Sequence, residues 1–176
     1  MNNKGFTIVE SLVAISILVL VIIGVTGAIQ KGIYSYTFSK DQIIAFYLAQ
    51  EGFEQIRNLR DENGLRNQHW LANIAEEAND PCYFGSACRV DLTDNSGGAP
   101  TRCSSPGNCP FLRQDATGGT TGFFGYTAAW PVTVFKREIM LTEINPNEIS
   151  VSVTINWLKG GSPKQFKAKE NLFNWQ

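Results

Sequence analysis

The sequence predicts an α+β protein in which a long N-terminal helix packs on a C-terminal antiparallel β-sheet. Residues 6–29 form an apolar run whose only charged member is Glu10, and an amphipathic pattern continues that run to about residue 62. The C-terminal third instead alternates apolar and polar residues, most clearly from Val151 to Trp157. Alternation of this kind indicates a half-buried strand.

The apolar run is long enough to cross a membrane. As a helix rising about 1.5 Å per residue it spans roughly 35 Å, and the hydrocarbon core of a bilayer is about 30 Å thick. A secretory signal peptide has a shorter apolar region of about 7–15 residues, followed by its cleavage site. Here the plausible cleavage position precedes the run, so we expect the segment to be retained. Lys4 favours a cytoplasmic N-terminus, although Lys31 beyond the run weakens this bias.

The helix is expected to continue beyond the membrane over residues 30–62. One apolar stripe recurs there at steps of three and four, formed by Ala45, Ala49, Gly52, Ile56 and Leu59. Charged and amide side chains largely occupy the other face, so this half is predicted to pack against the sheet. Two separate helices with a break near Gly32 are the alternative.

Residues 63–176 are expected to form one exported globular domain of cysteine-containing loops and antiparallel sheet. Its middle is rich in turn signals, with a short helix predicted near residues 68–78. The cysteines fall in two pairs with five residues between partners: Cys82 with Cys88, and Cys103 with Cys109. Zinc ligands more often have two to four residues between them. Disulfides persist outside the cytoplasm, so we expect two, and local pairing is the simplest of three connectivities.

The residue types give little support to catalysis. His69 is the only histidine, and no glycine-rich phosphate loop precedes a helix, so no enzyme activity and no cofactor are expected. Asp91, Asp94 and Asn95 have oxygen ligands, but their spacing misses the standard calcium loop. A solvated turn is the simpler interpretation, and no metal site is predicted.

Charge does not indicate a nucleic-acid partner. The net charge is −1 and the pI is near 5.8, so the protein has no overall basic field. Lys164, Lys167 and Lys169 form a local basic run on the last predicted strand. Attachment to DNA or to a surface is compatible with these lysines, but a solvated strand face explains them more simply.

The first dozen residues carry the most specific motif in the chain. The string Lys-Gly-Phe-Thr-x-x-Glu-Ser-Leu, from Lys4 to Leu12, resembles the processing site of type IV pilins and of the pseudopilins of secretion and DNA-uptake machines. The resemblance implies that prepilin peptidase removes residues 1–5 by cutting between Gly5 and Phe6, and that Phe6 is then N-methylated. It also implies that Glu10 pairs with the N-terminal amine of a neighbouring subunit during assembly. Considered alone, Glu10 is equally consistent with a position near the lipid headgroups, since a charge deep in the bilayer costs about 2.5–3.5 kcal/mol.

The resemblance further implies a structural subunit of a type IV pilus or related secretion or DNA-uptake filament. It implies an α+β pilin-like fold and partners that include other pilin or pseudopilin subunits, the prepilin peptidase, the inner-membrane assembly platform and cytoplasmic membrane lipids. The protein is expected to cross the cytoplasmic membrane once before joining a periplasmic or extracellular filament.

A minor pilin or pseudopilin is favoured over a major pilin, because the loops are cysteine-rich and Gly27 stands where many pilins have a proline. The alternative function is a membrane-anchored binding or adhesion module that does not polymerise, with residues 123–126 as its contact surface.

Overall fold

The computed structural model describes residue 5 and residues 7–91, 98–115 and 122–174. Within these residues lie one helix, α1 (Ile8–Leu65), and seven strands: β1 (Ala87–Arg89), β2 (Thr101–Arg102), β3 (Phe111–Gln114), β4 (Phe124–Gly125), β5 (Val132–Asn145), β6 (Glu148–Lys159) and β7 (Ser162–Phe173). Internal contacts divide the chain into two units, Met1–Asp41 and Gln42–Gln176. The α+β prediction is confirmed, and the alternative of a helix broken near Gly32 is wrong.

The end of α1 is fixed by a capping motif that was not predicted from the sequence. The helix ends at Leu65, beyond the predicted limit of residue 62. Asn67 has a left-handed backbone (φ 55°); its N–H donates to the Gly64 carbonyl at 3.0 Å, and the Gln68 N–H donates to the Asn63 carbonyl at 2.9 Å. These two bonds form a Schellman motif, which satisfies carbonyls that the last helical turn leaves unpaired.

The sheet is antiparallel throughout and is built around β5. One edge of β5 pairs with β6, and β6 pairs with β7, which gives a meander. The other edge of β5 pairs with β1 near Ile139 and with β3 near Val132. Beyond them, β2 pairs with β1 and β4 pairs with β3. Gly160 and Gly161, with φ of 56° and 80°, form the two-residue turn between β6 and β7, where positive φ at both positions favours glycine.

The core of the second unit lies between the sheet and the amphipathic half of α1. The inward face of β6 is buried and consists of Ile149, Val151, Val153, Ile155 and Trp157. The predicted stripe on α1 is also buried, except that Leu59 is half-buried. Gly52 permits close packing of α1 on β6, since a Cβ added to this glycine would lie 3.0 Å from Cγ1 of Val153.

Polar contacts also join α1 to the sheet within the second unit. Arg57 Nε donates a hydrogen bond to the Glu170 carboxylate on β7 at 2.8 Å, and this bond raises the pKa of Arg57. Arg137 on β5 is fully buried; its Nη2 donates to the Val90 carbonyl at 3.0 Å, and its Nη1 lies 3.2 Å from Glu51 Oε2 on the helix. A buried guanidinium therefore connects helix, sheet and the segment after β1.

Both predicted disulfides are present, Cys82–Cys88 and Cys103–Cys109. The second one packs with Ala87 and Met140 against the sheet.

The loop closed by the second disulfide is held at Gly107, whose N–H donates to the buried Glu138 carboxylate at 2.5 Å. Each bridge therefore ties an irregular segment to the strands beside it.

The prediction of a short helix at residues 68–78 is wrong. The segment forms consecutive turns, with the Ile74 N–H bonded to the Leu71 carbonyl at 3.0 Å. Asn73 has a φ of 59°, a left-handed conformation that a right-handed helix does not contain. Trp70 and Leu71 are nevertheless buried, so these turns cover part of the core.

Candidate assembly site at the start of the helix

The first turn of α1 holds Glu10 in a reciprocal pair of hydrogen bonds with Thr7. The Glu10 N–H donates to Thr7 Oγ1 at 3.3 Å, and the Thr7 N–H donates to Glu10 Oε2 at 3.4 Å. This is a capping box, in which Thr7 is the N-cap and Glu10 the third helical residue. The Thr-x-x-Glu spacing that encodes it is visible in the sequence, but the predictions for Glu10 were an assembly role or a position near the lipid headgroups, and not a helix cap.

The capping box leaves the Glu10 carboxylate exposed beside the start of the helix. A helix N-terminus carries a partial positive charge, so a carboxylate is favoured there. The carboxylate therefore stabilises the start of the helix as part of the cap while it remains accessible from outside the chain.

The other hydroxyl side chains of the apolar segment bond to their own helix. Ser16 Oγ donates to the Leu12 carbonyl at 2.8 Å, and Thr26 Oγ1 donates to the Ile22 carbonyl. Hydrogen bonds within one turn satisfy these groups without water. The hydroxyls are therefore compatible with an apolar environment.

The apolar segment is unburied. Residues 8–26 are all exposed, and a Cβ added to Gly24, Gly27 or Gly32 would meet nothing within 4 Å. Among the described residues, one helix is long and apolar enough to cross a membrane by its length and composition. A surface of this length and character needs lipid or other helices around it.

The remaining predicted residues do not form a second site of this kind. Gly5 is exposed, and Phe6 lies outside the described residues. Asp94 and Asn95 also lie outside them, while Asp91 is buried and its Oδ2 accepts a hydrogen bond from the Tyr126 N–H at 2.9 Å. Nowhere in the described part of the chain do three or more His, Cys, Asp or Glu side chains form a group able to hold a metal ion.

Other candidate groups are distributed over the surface of the second unit. His69 Nδ1 lies 3.8 Å from Glu76 Oε1, and both side chains are about half exposed. Lys167 and Lys169 are exposed on β7, and Lys164 is half-buried. Lys167 and Lys169 share one face of β7 and Lys164 lies on the other, so nothing in their arrangement singles out DNA as a ligand.

Comparison with known proteins identifies the N-terminal segment. A protein-family model described as a prokaryotic N-terminal methylation motif matches residues 1–26. No curated protein and no solved structure matches the chain. The matched motif is the type IV prepilin-like signal, so the predicted resemblance is confirmed for this segment. With the apolar helix that follows, it fits a membrane-anchored, type IV pilin-like precursor with a structural role.

Proposed function

We propose that the chain is a structural subunit of a type IV pilus or of a related secretion or DNA-uptake filament. In this proposal prepilin peptidase removes residues 1–5, Phe6 becomes the methylated N-terminus, and the inner-membrane platform builds the subunit into the filament through α1. The observation that carries the proposal is a methylation motif heading a helix whose apolar side chains are exposed throughout residues 8–26.

The exposed apolar surface supports a helix that serves both as membrane anchor and as filament core. Fully burying one Val, Leu or Ile side chain contributes about 1.5–3 kcal/mol. The segment before residue 30 contains more than a dozen such side chains, so lipid holds it strongly in the membrane. Packing against equivalent helices replaces lipid contacts with helix contacts, and the open faces at Gly24 and Ala28 allow a neighbouring backbone to approach closely.

In this proposal Glu10 has two successive partners. In the free subunit its carboxylate completes the capping box with Thr7. In the filament it meets the N-terminal amine that cleavage after Gly5 creates on the adjacent subunit. A buried carboxylate–ammonium pair fixes register, because a displaced subunit would leave both charges without a partner in an apolar environment.

Minor pilin or pseudopilin is the proposed status, for the reasons of loop composition and Gly27 given above.

A non-polymerising anchored module is the second candidate, and its proposed contact surface is smaller than the sequence suggested. Phe123 is exposed, but Phe124 and Tyr126 are half-buried. Incorporation into filaments separates the two candidates.

Three variants at the capping box test the assembly role. Gln also completes a capping box, so Glu10→Gln removes the charge and retains the cap, while Glu10→Ala removes both. Thr7→Ala removes the cap and retains the charge. We expect both Glu10 variants to reach the membrane but to enter filaments at least about tenfold less than wild type, and Thr7→Ala to enter them nearly normally.

Immunoblots of sheared filament and membrane fractions measure this distribution. Normal incorporation of Glu10→Gln would show that the charge does not guide assembly. Wild-type protein found only in membranes, in cells that make filaments, would favour the anchored module.

A further inference from the structure

A groove of about 460 Å³ lies at the end of the sheet where β5 begins and β6 ends. Its apolar surface includes Phe111, Val134 and Leu158, and Leu158 is 58% exposed. Lys136 and Lys164 also line it, with Lys136 Nζ 4.6 Å from the centroid of the Phe111 ring. No Asp or Glu is among the described residues that form its lining. The groove therefore suits an apolar group accompanied by negative charge.

A surface of that chemistry occurs at the opposite end of the same strands. The β5–β6 hairpin tip, Glu143–Glu148, is exposed over most of its length, and Ile144 at its side is 50% exposed. The tip is braced internally: Asn145 Nδ2 donates to Glu148 Oε2 at 3.0 Å, and the Asn147 N–H donates to Asn145 Oδ1 at 3.0 Å. Ile144 and the exposed Glu143 are thus carried by successive residues at one well-supported hairpin tip.

The two surfaces cannot meet within one molecule. Lys136 and Glu143 both lie on β5, and seven residues of strand separate them by about 23 Å. A contact between the groove of one copy and the tip of another uses two different patches. Such a head-to-tail contact leaves a free groove and a free tip at the ends, so it extends into an open chain of copies when the rotation between neighbours does not close a ring.

We propose that the β5–β6 hairpin tip of one copy docks in the Phe111–Leu158 groove of the next copy. Ile144 packs against the apolar surface, and Glu143 pairs with Lys136 and Lys164 at its margin. This contact adds a surface interaction between exported domains to the helix packing of the proposed filament, and it rests on that proposed function. It gives the exported domain a specific role in ordering neighbouring subunits.

Cysteine cross-linking in the full-length chain tests the contact. All four native cysteines are disulfide-bonded, so introduced thiols are the reactive ones. A chain carrying both Ile144→Cys and Leu158→Cys is expressed in filament-forming cells, oxidised with copper phenanthroline, and analysed on non-reducing gels. We expect a ladder of dimers, trimers and higher multimers. The matched control, Ile144→Cys with Phe123→Cys, places the second thiol on an exposed residue outside the groove and should give none.

Charge reversal provides a second readout. Lys136→Glu and Glu143→Lys, each added to the cross-linking chain, should lower the multimer yield at least about fivefold, and the two together should restore much of it. The proposed contact is overturned if no ladder of multimers forms. It is also overturned if the single charge reversals leave the multimer yield unchanged and the double reversal restores nothing.

Cross-linking is scored on membranes and filaments together, so the result does not depend on filament assembly. If filaments form but no cross-linked ladder appears, the proposed function stands and the docking contact is refuted. A ladder without filaments supports the docking and removes the filament function.

Discussion

Replacing Glu51 should destabilise the second unit, Gln42–Gln176, more than replacing its partner Arg137, although Glu51 is the more exposed of the two. The Arg137 side chain is 0% exposed and the Glu51 side chain 37%, with 3.2 Å between Nη1 and Oε2. Arg137 also donates to the carbonyls of Val90 at 3.0 Å and Leu48 at 3.4 Å. Removing Glu51 therefore leaves a buried charge behind, whereas removing Arg137 leaves a carboxylate that water can reach.

The expected magnitudes follow from that difference. Glu51→Ala leaves a fully buried guanidinium without its counter-charge, and breaking a buried pair in this way costs about 3–5 kcal/mol. Arg137→Met fills similar space without charge, and the exposed Glu51 carboxylate is hydrated. The main loss is then the hydrogen bond to the Val90 carbonyl, about 1–3 kcal/mol. Combining Glu51→Ala with Arg137→Met should cost little more than Arg137→Met alone, because the two residues interact directly.

Urea titration of the full chain in detergent, with the disulfides intact, measures these differences. Trp70 and Trp157 are both buried, so their fluorescence reports loss of the core. A cost of Glu51→Ala below about 1 kcal/mol would place the pair among ordinary surface salt bridges. That result, or a greater cost for Arg137→Met than for Glu51→Ala, would refute the reasoning.

Three further predictions concern stability of the same domain, and the same titration measures each. Gly52→Leu should cost about 1–3 kcal/mol, because even its Cβ would lie 3.0 Å from Val153 Cγ1. Burial raises the pKa of Tyr126 in the folded state. The contribution of the neutral Tyr126 side chain to stability is therefore complete below the unfolded pKa of about 10 and is lost as pH rises above that value. Tyr126→Phe should therefore lessen the fall in stability above about pH 10. Replacing both Cys103 and Cys109 with Ser should cost about 2 kcal/mol, since the closed loop is short.

Each of these predictions has a result that would contradict it. Wild-type stability in Gly52→Leu would mean that helix and sheet are not closely packed at this glycine. Identical alkaline profiles for wild type and Tyr126→Phe would show that the tyrosine hydroxyl is not buried in solution. Unchanged stability after removal of the Cys103–Cys109 bridge would mean that its loop is ordered by other contacts.

The regular elements could be predicted from the sequence because their patterns are local. The period-two alternation in β6 and the stripe on α1 each record one buried face, and both are confirmed. The methylation motif was equally readable, since its residues are contiguous. Asn67 and Asn73 were not predicted, because a left-handed backbone at a non-glycine residue depends on hydrogen bonds that a single sequence does not specify.

Arg137 shows a different limit of sequence reasoning. In the sequence Arg137 lies between Lys136 and Glu138, and a charged triplet of this kind is typical of an exposed position. Its burial depends on Glu51 of α1 and on Val90, which are distant in the sequence and meet Arg137 only when the helix packs on the sheet. The Phe111–Leu158 groove likewise combines Phe111 with residues of β5, β6 and the start of β7, so no local pattern could indicate it.

The N-terminal sequence and intact mass of the protein recovered from its own cells test the central claim most directly. The account predicts a chain that begins at N-methylated Phe6 and lacks residues 1–5. The same mass with and without reduction and alkylation should also show two disulfides. A chain that retains Met1–Gly5 would contradict prepilin processing, and the proposed filament function would then be withdrawn.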